Sequence, residues 1–314
     1  MRVLVTGAAG FIGSTTVQHL VAKGHSVVGL DNFYTGKRLV PGGAYIVGNC
    51  GDLETLKQIP EIDACIHFAG SIAVSDSFMV PEQYYQNNVA ETLTLVNYLM
   101  GVGVNKFVFS SSAAIYASSN EPIAETYIKL PSSPYGLSKL MVEQALSSIS
   151  SHTSLKYAAL RYFNAAGCLG EFAEAHKPET HIIPRAFEAA VNNETFRIFG
   201  SNYNTPDGTC VRDYVHVNDL ARAHVLALEA LDTQKSIEVN LGSGVGISNF
   251  QIMGKVKEVT GINFRVEFGN RRKGDPDSLV ADITKAKDLL DWVPMESDLT
   301  TIVTDAWVGY QHDH

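Results

Sequence analysis

The segment SPYGLSKLM (133–141) sets Tyr135 four residues ahead of Lys139. On a helix this spacing puts both side chains on one face, a turn apart. Free tyrosine ionises near a pKa of about 10 and is a poor base at neutral pH, but a neighbouring ammonium favours its tyrosinate. Such a pair can draw the proton from a sugar hydroxyl while a hydride leaves the same carbon for an oxidised nicotinamide. The spacing alone equally describes the solvated face of an amphipathic helix. Its weight comes from KFVFSSSAAIY (106–116), an apolar run that ends in Ser110, Ser111 and Ser112. Ser112 is placed to hold the reacting hydroxyl, whereas Ser111 reads as a strand-end turn serine.

Nicotinamide chemistry requires a dinucleotide site, and the N-terminus offers one. Gly7, Gly10 and Gly13 lie in TGAAGFIG, between an apolar run and a helical pattern. Glycines there permit a tight turn and let backbone N–H groups approach a pyrophosphate at the positive end of a helix. Asp31 closes the next apolar run, 24 positions after Gly7. An acid at that point hydrogen-bonds ribose hydroxyls and repels a 2′-phosphate, favouring NAD over NADP. Asp52, in GNCGDL, follows a third apolar run; it suits either the adenine end of the cofactor or a helix N-cap.

These residues need elements that hold them. Apolar runs at 2–7, 25–31, 44–49, 64–70, 106–111 and 156–164 read as strands. Helical periodicity fills 11–23, 81–100 and 134–150, and Gly24 is a stop for the first of these. The alternation predicts an α/β fold, a doubly wound parallel sheet with helices on both faces. Beyond Asn164 the rhythm loosens. Helices are expected at 183–192, 216–231, 248–259, 282–290 and 299–311, with strands at 196–200 and 237–244. The expected division is a dinucleotide-binding domain over 1–165, to which 213–244 crosses back, and a smaller C-terminal α/β lobe over 166–314.

The totals exclude several classes. A chain of 314 residues with 45% hydrophobic and 18% charged residues is globular and long enough for two lobes. A net charge of -9 argues against a broad nucleic-acid surface. Cys50, Cys65, Cys168 and Cys210 are widely spaced, and the ten histidines show no paired-ligand pattern, so neither a zinc site nor a disulfide framework is expected. A reducing cytoplasm fits best. No signal peptide or membrane span is read from the sequence.

TGAAGFIG, Asp31-Asn32, HFAG (67–70), SSSAAIY (110–116), YGLSK (135–139), RYFNAAG (161–167) and DGTCVRDYVHVNDLARAH (207–224) occur in this order. Together they resemble the extended short-chain dehydrogenase/reductases, and within these the family of UDP-glucose 4-epimerases, over nearly the whole chain. RYFNAAG and GTCVRDYVHV are the most specific pieces. The resemblance implies a Rossmann-like lobe, retained NAD, and oxidation of the C4 carbinol of a UDP-hexose to a transient 4-keto sugar whose other face takes the hydride back. It makes Tyr135 the acid/base, Lys139 its tuning residue and ribose ligand, and Ser112 an aid to proton transfer. Implied cofactor contacts are Gly7, Gly10, Phe11, Ile12, Gly13, Asp31, Asn32, Asp52, Leu53, Phe68, Ala69, Gly70, Asn87, Ser110 and Phe163, besides Tyr135 and Lys139. Implied UDP-sugar contacts are Asn164, Phe199, Arg212, Arg272 and Asp275, besides Ser112 and Tyr135. Relatives pair helices like 81–100 and 134–150 across a two-fold axis, so a homodimer is expected.

Three positions depart from the family pattern. Ile72 replaces a lysine that contacts a cofactor phosphate. His181 stands for an asparagine, and Leu279 for a bulky tyrosine beside the sugar. The smaller Leu279 leaves room for an N-acetyl group, so UDP-N-acetylhexosamines are further candidate substrates. The loop after Asn32 and the 168–181 region look short for the family. Ala113-Ala114, where sugar dehydratases of this superfamily carry an acid pair, argues against dehydration. A uronate epimerase or decarboxylase, or a non-catalytic NAD-binding regulator, stay open as alternatives.

Overall fold

A computed structural model describes residues 1–37, 39–119, 121–170, 179, 181–272 and 275–313. Its first part alternates as the apolar runs predict: β1 (Arg2–Thr6), α1 (Phe11–Ala22), β2 (Ser26–Asp31), β3 (Ala44–Val47), α2 (Leu53–Leu56), β4 (Ala64–His67), α3 (Val74–Ser77), α4 (Pro81–Tyr84), α5 (Glu91–Gly101), β5 (Lys106–Ser112), α6 (Pro134–His152) and β6 (Lys156–Tyr162). The helix expected over 81–100 is interrupted: a π-helical stretch, Tyr85–Ala90, joins α4 to α5.

The later part contains β7 (Asn164–Ala166), α7 (Ile182–Val191), β8 (Phe196–Phe199), β9 (Val211–His216), α8 (Val217–Ala230), β10 (Ser236–Leu241), β11 (Gly246–Ser248), α9 (Asn249–Thr260), β12 (Val266–Gly269), β13 (Ser278–Leu279), α10 (Thr284–Leu290) and α11 (Leu299–Asp313). The principal sheet has seven strands in the order β10-β6-β5-β4-β1-β2-β3. Every pairing in it is parallel.

Side chains alternate between the faces of a strand, and β1 shows how both faces are filled. Val3 and Val5 pack with Val17 and Leu20 of α1 and with Leu220 and Leu228 of α8. Leu4 packs on the other side with Leu95 and Leu99 around α5 and Val142 and Leu146 of α6. A strand covered twice has no polar face to show, which is why these runs are continuously apolar. The segment that returns after Asn164 supplies both α8, laid beside α1, and β10, the sheet's last strand.

A smaller lobe packs Phe187 of α7, Ile252, Met253 and Val256 of α9, and Ile302 and Val303 of α11 around Tyr214 and Ile247. Its sheet centres on β9, which pairs with β7, β11 and β13. The sequence reading gave no strand there, because Arg212 and Asp213 interrupt the apolar pattern. Asp213 is fully buried and accepts from the backbone of Ser243, Gly244 and Ala281 and from the Ser243 hydroxyl. Those donors make a buried carboxylate tolerable in mid-strand.

Candidate active site

Parallel sheets present ligand sites beyond their carboxyl ends, where the strand order reverses. Here the reversal lies at β1, flanked by β2 and β4. The glycine loop occupies that point. Gly7 has φ +67, and a Cβ on it would lie 2.8 Å from the Ala69 backbone nitrogen, so the first loop presses directly on HFAG. A Cβ on Gly13 would overlap the Gly7 carbonyl. The N-cap of α1 is Gly10, and no side chain caps that end. The first turn of α1, with Phe11 and Ile12, therefore keeps unpaired N–H groups in a cradle no side chain fills. This is a fit for the pyrophosphate of a dinucleotide.

Asp31 is buried at the end of β2. Its Oδ2 accepts from Ala9 N at 2.9 Å and its Oδ1 from Phe33 N at 2.8 Å. An ionised carboxylate has about four acceptor positions, which leaves capacity for ribose hydroxyls. Asn32 bonds Asn49 and the Tyr34 amide. Asp52 caps α2, accepting from Glu54 N, Thr55 N and the Thr55 hydroxyl. Of its two sequence-level roles, the helix cap is the one its side chain performs in this arrangement. Leu53 is exposed beside it. Phe68 packs against His224, with ring centroids 4.5 Å apart. Gly70 sits over Asn88, whose Oδ1 a Cβ would meet at 2.9 Å. Asn87 Nδ2 donates to the Ser71 hydroxyl at 3.1 Å. Phe163 is core, packed with Ala113, Ile115, Tyr116 and Leu140.

The tyrosine–lysine pair is set by the start of α6. Ser133 caps the helix through Gly136 N at 3.1 Å, and Pro134 takes the first turn. A Cβ on Gly136 would overlap the Ala114 carbonyl, so glycine lets the helix end press onto the turn that follows β5. That contact brings Tyr135 close to Ser112, whose hydroxyl acts on the phenol. Lys139 is buried, and its Nζ donates to the Ser110 carbonyl at 2.8 Å. Its ammonium stands 5.0 Å from the Phe109 ring centre and 5.9 Å from that of Tyr135. Tyr84 meets Tyr135 edge-on at 6.4 Å. Ser110 Oγ is engaged by the Tyr162 hydroxyl.

Burial pushes the Tyr135 phenol up, and the nearby Ser112 hydroxyl only partly opposes it. Burial also pushes the Lys139 amine down, to about 8. Both shifts favour the neutral forms, so without further charge Tyr135 is an acid at neutral pH. The lysine faces the Ser110 carbonyl rather than bonding the phenol. Behind it, His67 is held neutral by burial, at about 3, between the Thr6 and Thr92 hydroxyls.

The residues expected to hold the UDP-sugar gather in the smaller lobe. Asn164 Nδ2 donates to the Asp213 carbonyl at 2.9 Å. Arg212 Nη1 donates to the Val211 and Pro276 carbonyls, and its Nη2 is 3.8 Å from Asp275 Oδ1. Arg272 lies 4.1 Å over the Phe199 ring, and Arg271 the same distance over Tyr203. Tyr203 donates to Asp275 at 3.4 Å. Arg272, stacked on its ring, is presented as a planar donor suited to phosphate oxygens, whereas Arg271 is paired with Asp277 and donates to the Asp275 carbonyl. Leu279, on β13, and Ile283 pack against the Phe163 cluster, whereas Ile72 is exposed. His181 stands at the N-cap position of α7 with no side-chain capping bond and is paired with Glu179. Residues 171–178 and 180, within the region that looks short for the family, lie outside the described residues.

Some neighbours were not singled out from the sequence. Asn88 is buried; its Oδ1 accepts from Ser71 N, and its Nδ2 donates to the Ser71 carbonyl and the Ser138 hydroxyl. It ties the loop after HFAG to α6. Glu143 and Arg161, an ion pair on α6 and β6, lie next to Ser111. Glu143 stands one turn beyond Lys139, a spacing the sequence does display. Elsewhere, His216, Glu296 and Asp305 bring one potential ligand atom each within 4.8 Å of the others. His216 Nδ1 accepts from Asn218 N at 3.1 Å, which leaves the ring proton on Nε2, 3.3 Å from Asp305. That buried nitrogen lies close to the carboxylate without a hydrogen bond to it.

Known proteins resemble this chain in sequence and fold. A sequence profile described as the NAD dependent epimerase/dehydratase family matches residues 3–242. A UDP-glucose 4-epimerase of Rhizobium leguminosarum bv. trifolii is 45% identical over 97% of this chain and 96% of its own. The crystal structure of UDP-glucose 4-epimerase from Brucella ovis in complex with NAD is 42% identical, covers 98% of each chain and superposes with a TM-score of 0.93. That from Bifidobacterium longum in complex with NAD+ and UDP is 32% identical, with a TM-score of 0.93 over 99% of this chain and 98% of its own. Fold, sequence and ordered motifs thus agree over nearly the whole length, and the chain belongs to the NAD dependent epimerase/dehydratase family, among the extended short-chain dehydrogenase/reductases.

Proposed function

We propose that this chain epimerises C4 of a UDP-hexose, interconverting UDP-glucose and UDP-galactose through a transient 4-keto sugar, with NAD held throughout. The observation that carries the reading is the Ser112–Tyr135–Lys139 group at the carboxyl edge of β5, facing the same sheet edge as the glycine loop. Support comes from relatives named UDP-glucose 4-epimerase and from related structures holding NAD or NAD+ with UDP.

Residues 1–165, with 213–244, hold NAD: the backbone of Gly7, Gly10, Phe11, Ile12 and Gly13 at the pyrophosphate, Asp31 and Asn32 at a ribose, and Lys139 with Tyr135 at the nicotinamide end. NAD, when bound, supplies a hydride acceptor that returns the hydride it takes. The chain's own residues move the proton. Tyr135 takes it from the C4 hydroxyl and gives it back to the re-formed alcohol, and Ser112 holds that oxygen in line. The Lys139 charge, with the positive charge of an oxidised ring, offsets the burial that raises the phenol. Residues 166–314 hold the nucleotide: Phe199 beside the base, Arg212, Arg272 and Asp275 around the diphosphate and ribose, Asn164 near the sugar. Leu279 in place of a bulkier side chain favours acceptance of N-acetylated hexoses as well. Leu137 and Met141, one turn apart and both exposed on α6, support a homodimer built on that helix; sedimentation at micromolar concentration that gives a monomer would refute it.

The deciding experiment is turnover of UDP-glucose and UDP-galactose by the purified protein with no NAD added, beside the N-acetyl pair. Turnover is expected. Tyr135→Phe is expected to lower kcat by at least 100-fold while NAD stays bound. Failure of the wild type even with NAD supplied, or an unimpaired Tyr135→Phe, overturns the reading.

A further inference from the structure

Three side chains of α6 reach the last three residues of β5. Tyr135 comes close to Ser112, and Lys139 bonds the Ser110 carbonyl at 2.8 Å. The third, Glu143, accepts from the Ser111 hydroxyl. Positions 135, 139 and 143 succeed one another by a turn, so these attachments form one line along the helix. The first two belong to the group assigned above to proton transfer; the third does not.

Glu143 is buried and so is its partner Arg161. Arg161 Nε donates to Glu143 Oε1 at 2.9 Å and Nη2 to Oε2 at 2.7 Å, a fork that allows one relative placement of the two side chains. Arg161 stands on β6 directly beside Ser111 in the parallel register. Its remaining bonds run outward: Nη1 to the Tyr116 hydroxyl at 2.9 Å, and Nη2 also to Glu238 of β10. Tyr116 in turn donates to Asn240, and Tyr157 to Glu238. Lys129 lies 3.4 Å from Glu238 and 3.9 Å from Glu143, so two cations face two carboxylates.

We propose that the Glu143–Arg161 pair is a positioning device for the proton-transfer group: it fixes where α6 sits along β5, and so holds Tyr135 at Ser112 and Lys139 at the Ser110 carbonyl. This rests on the role given to Tyr135 above. An apolar pair of similar volume packs a core at least as well as a buried ion pair, which makes stability a weak reason for keeping one. A fork spanning helix and strand has one register, and an apolar contact tolerates sliding. A small shift of a reacting group costs rate far more than affinity, because catalysis depends on near-attack geometry. Glu143 and Arg161 are not among the residues assigned above to substrate or cofactor.

The test compares the holoenzyme with Glu143→Gln, which keeps the shape and the acceptor oxygen, and with the double variant Glu143→Leu/Arg161→Met, which leaves no unpaired charge. NAD content, melting temperature, kcat and KM for UDP-galactose are measured. For the double variant, kcat is expected to fall at least tenfold with KM within about twofold and NAD still bound; Glu143→Gln is expected to recover most of kcat. Wild-type kcat in a folded, NAD-loaded double variant overturns the proposal. If the double variant does not fold, single-turnover reduction of bound NAD by substrate in Arg161→Lys, which keeps the cation and removes the fork, decides: a slowed step with unchanged KM supports positioning, and an unchanged rate overturns it. Tyr135→Phe in the same series separates the two ideas, since its retained activity would remove the acid/base role whatever the Glu143 variants do.

Discussion

Lys139 carries a cost that its function explains. Unfolded, the amine titrates near its ordinary 10.5; folded, burial holds it at about 8. Between those values the unfolded chain binds more protons, so stability rises with pH across that window and the whole cost is present below it. The gap corresponds to roughly 3 kcal/mol against the folded enzyme at neutral pH. Lys139→Met removes the charge and keeps a similar stem. At equal NAD saturation and pH 7, the variant should melt a few degrees higher than the wild type while kcat falls at least 100-fold. A lower melting temperature would mean that the bond to the Ser110 carbonyl outweighs the desolvation. Asp52 teaches the opposite lesson. Its capping bonds to Thr55 hold its carboxyl low and fully account for an acid before a helix. Sequence could not separate the two roles because a cap and a ribose ligand both want a carboxylate at a strand-to-helix turn.

At the scale of elements, the first turn of α1 is where backbone geometry and binding meet. A methyl on Gly13 would overlap the Gly7 carbonyl, so Gly13→Ala must lift the helix end from the loop. Loss of NAD from the purified protein is expected, with a stability loss of about 2 kcal/mol or more. Denaturant titration and the cofactor absorbance of the purified variant check both; full NAD retention would show that the loop is not the pyrophosphate seat. The parallel strands were legible because both their faces are covered, which leaves runs such as Val3-Leu4-Val5 without a polar break. β9 was not legible, since the donors that satisfy Asp213 come from segments 30 and 68 positions away. The π-helical stretch at 85–90 was hidden for a related reason. It displaces Asn87 and Asn88 toward Ser71, and Ser71 lies on a different loop. The tyrosine, lysine and glycines were readable as local spacings, whereas the Glu143–Arg161 pair is a contact between elements and has no spacing of its own.

For the molecule as a whole, buried neutral histidines set the acid limit. Burial lowers His67 to about 3 and His224 to about 4. Their ordinary value is 6.5, so below it the unfolded chain takes up protons that the folded chain refuses. Stability falls as pH drops through that window. By pH 5 each contributes about 2 kcal/mol of loss, together about 4 kcal/mol. Urea unfolding at pH 7 and pH 5 measures it, and His224→Leu should recover about half of the difference. An unchanged difference in that variant would move the cause to the carboxylates.

The order of the sheet has a consequence for how the chain is made. β6 is covered on its outer edge by β10, and the 73 residues between the two include part of the second lobe as well as α8. During synthesis the first lobe therefore waits with a bare apolar edge at Lys156–Tyr162 until residue 241 has left the ribosome. Unpaired edges of that kind recruit other strands. A fragment ending at residue 165 should thus be insoluble or chaperone-bound, and one ending after α8 and β10 markedly more soluble; an equally soluble 1–165 fragment would show that β6 can do without its late neighbour.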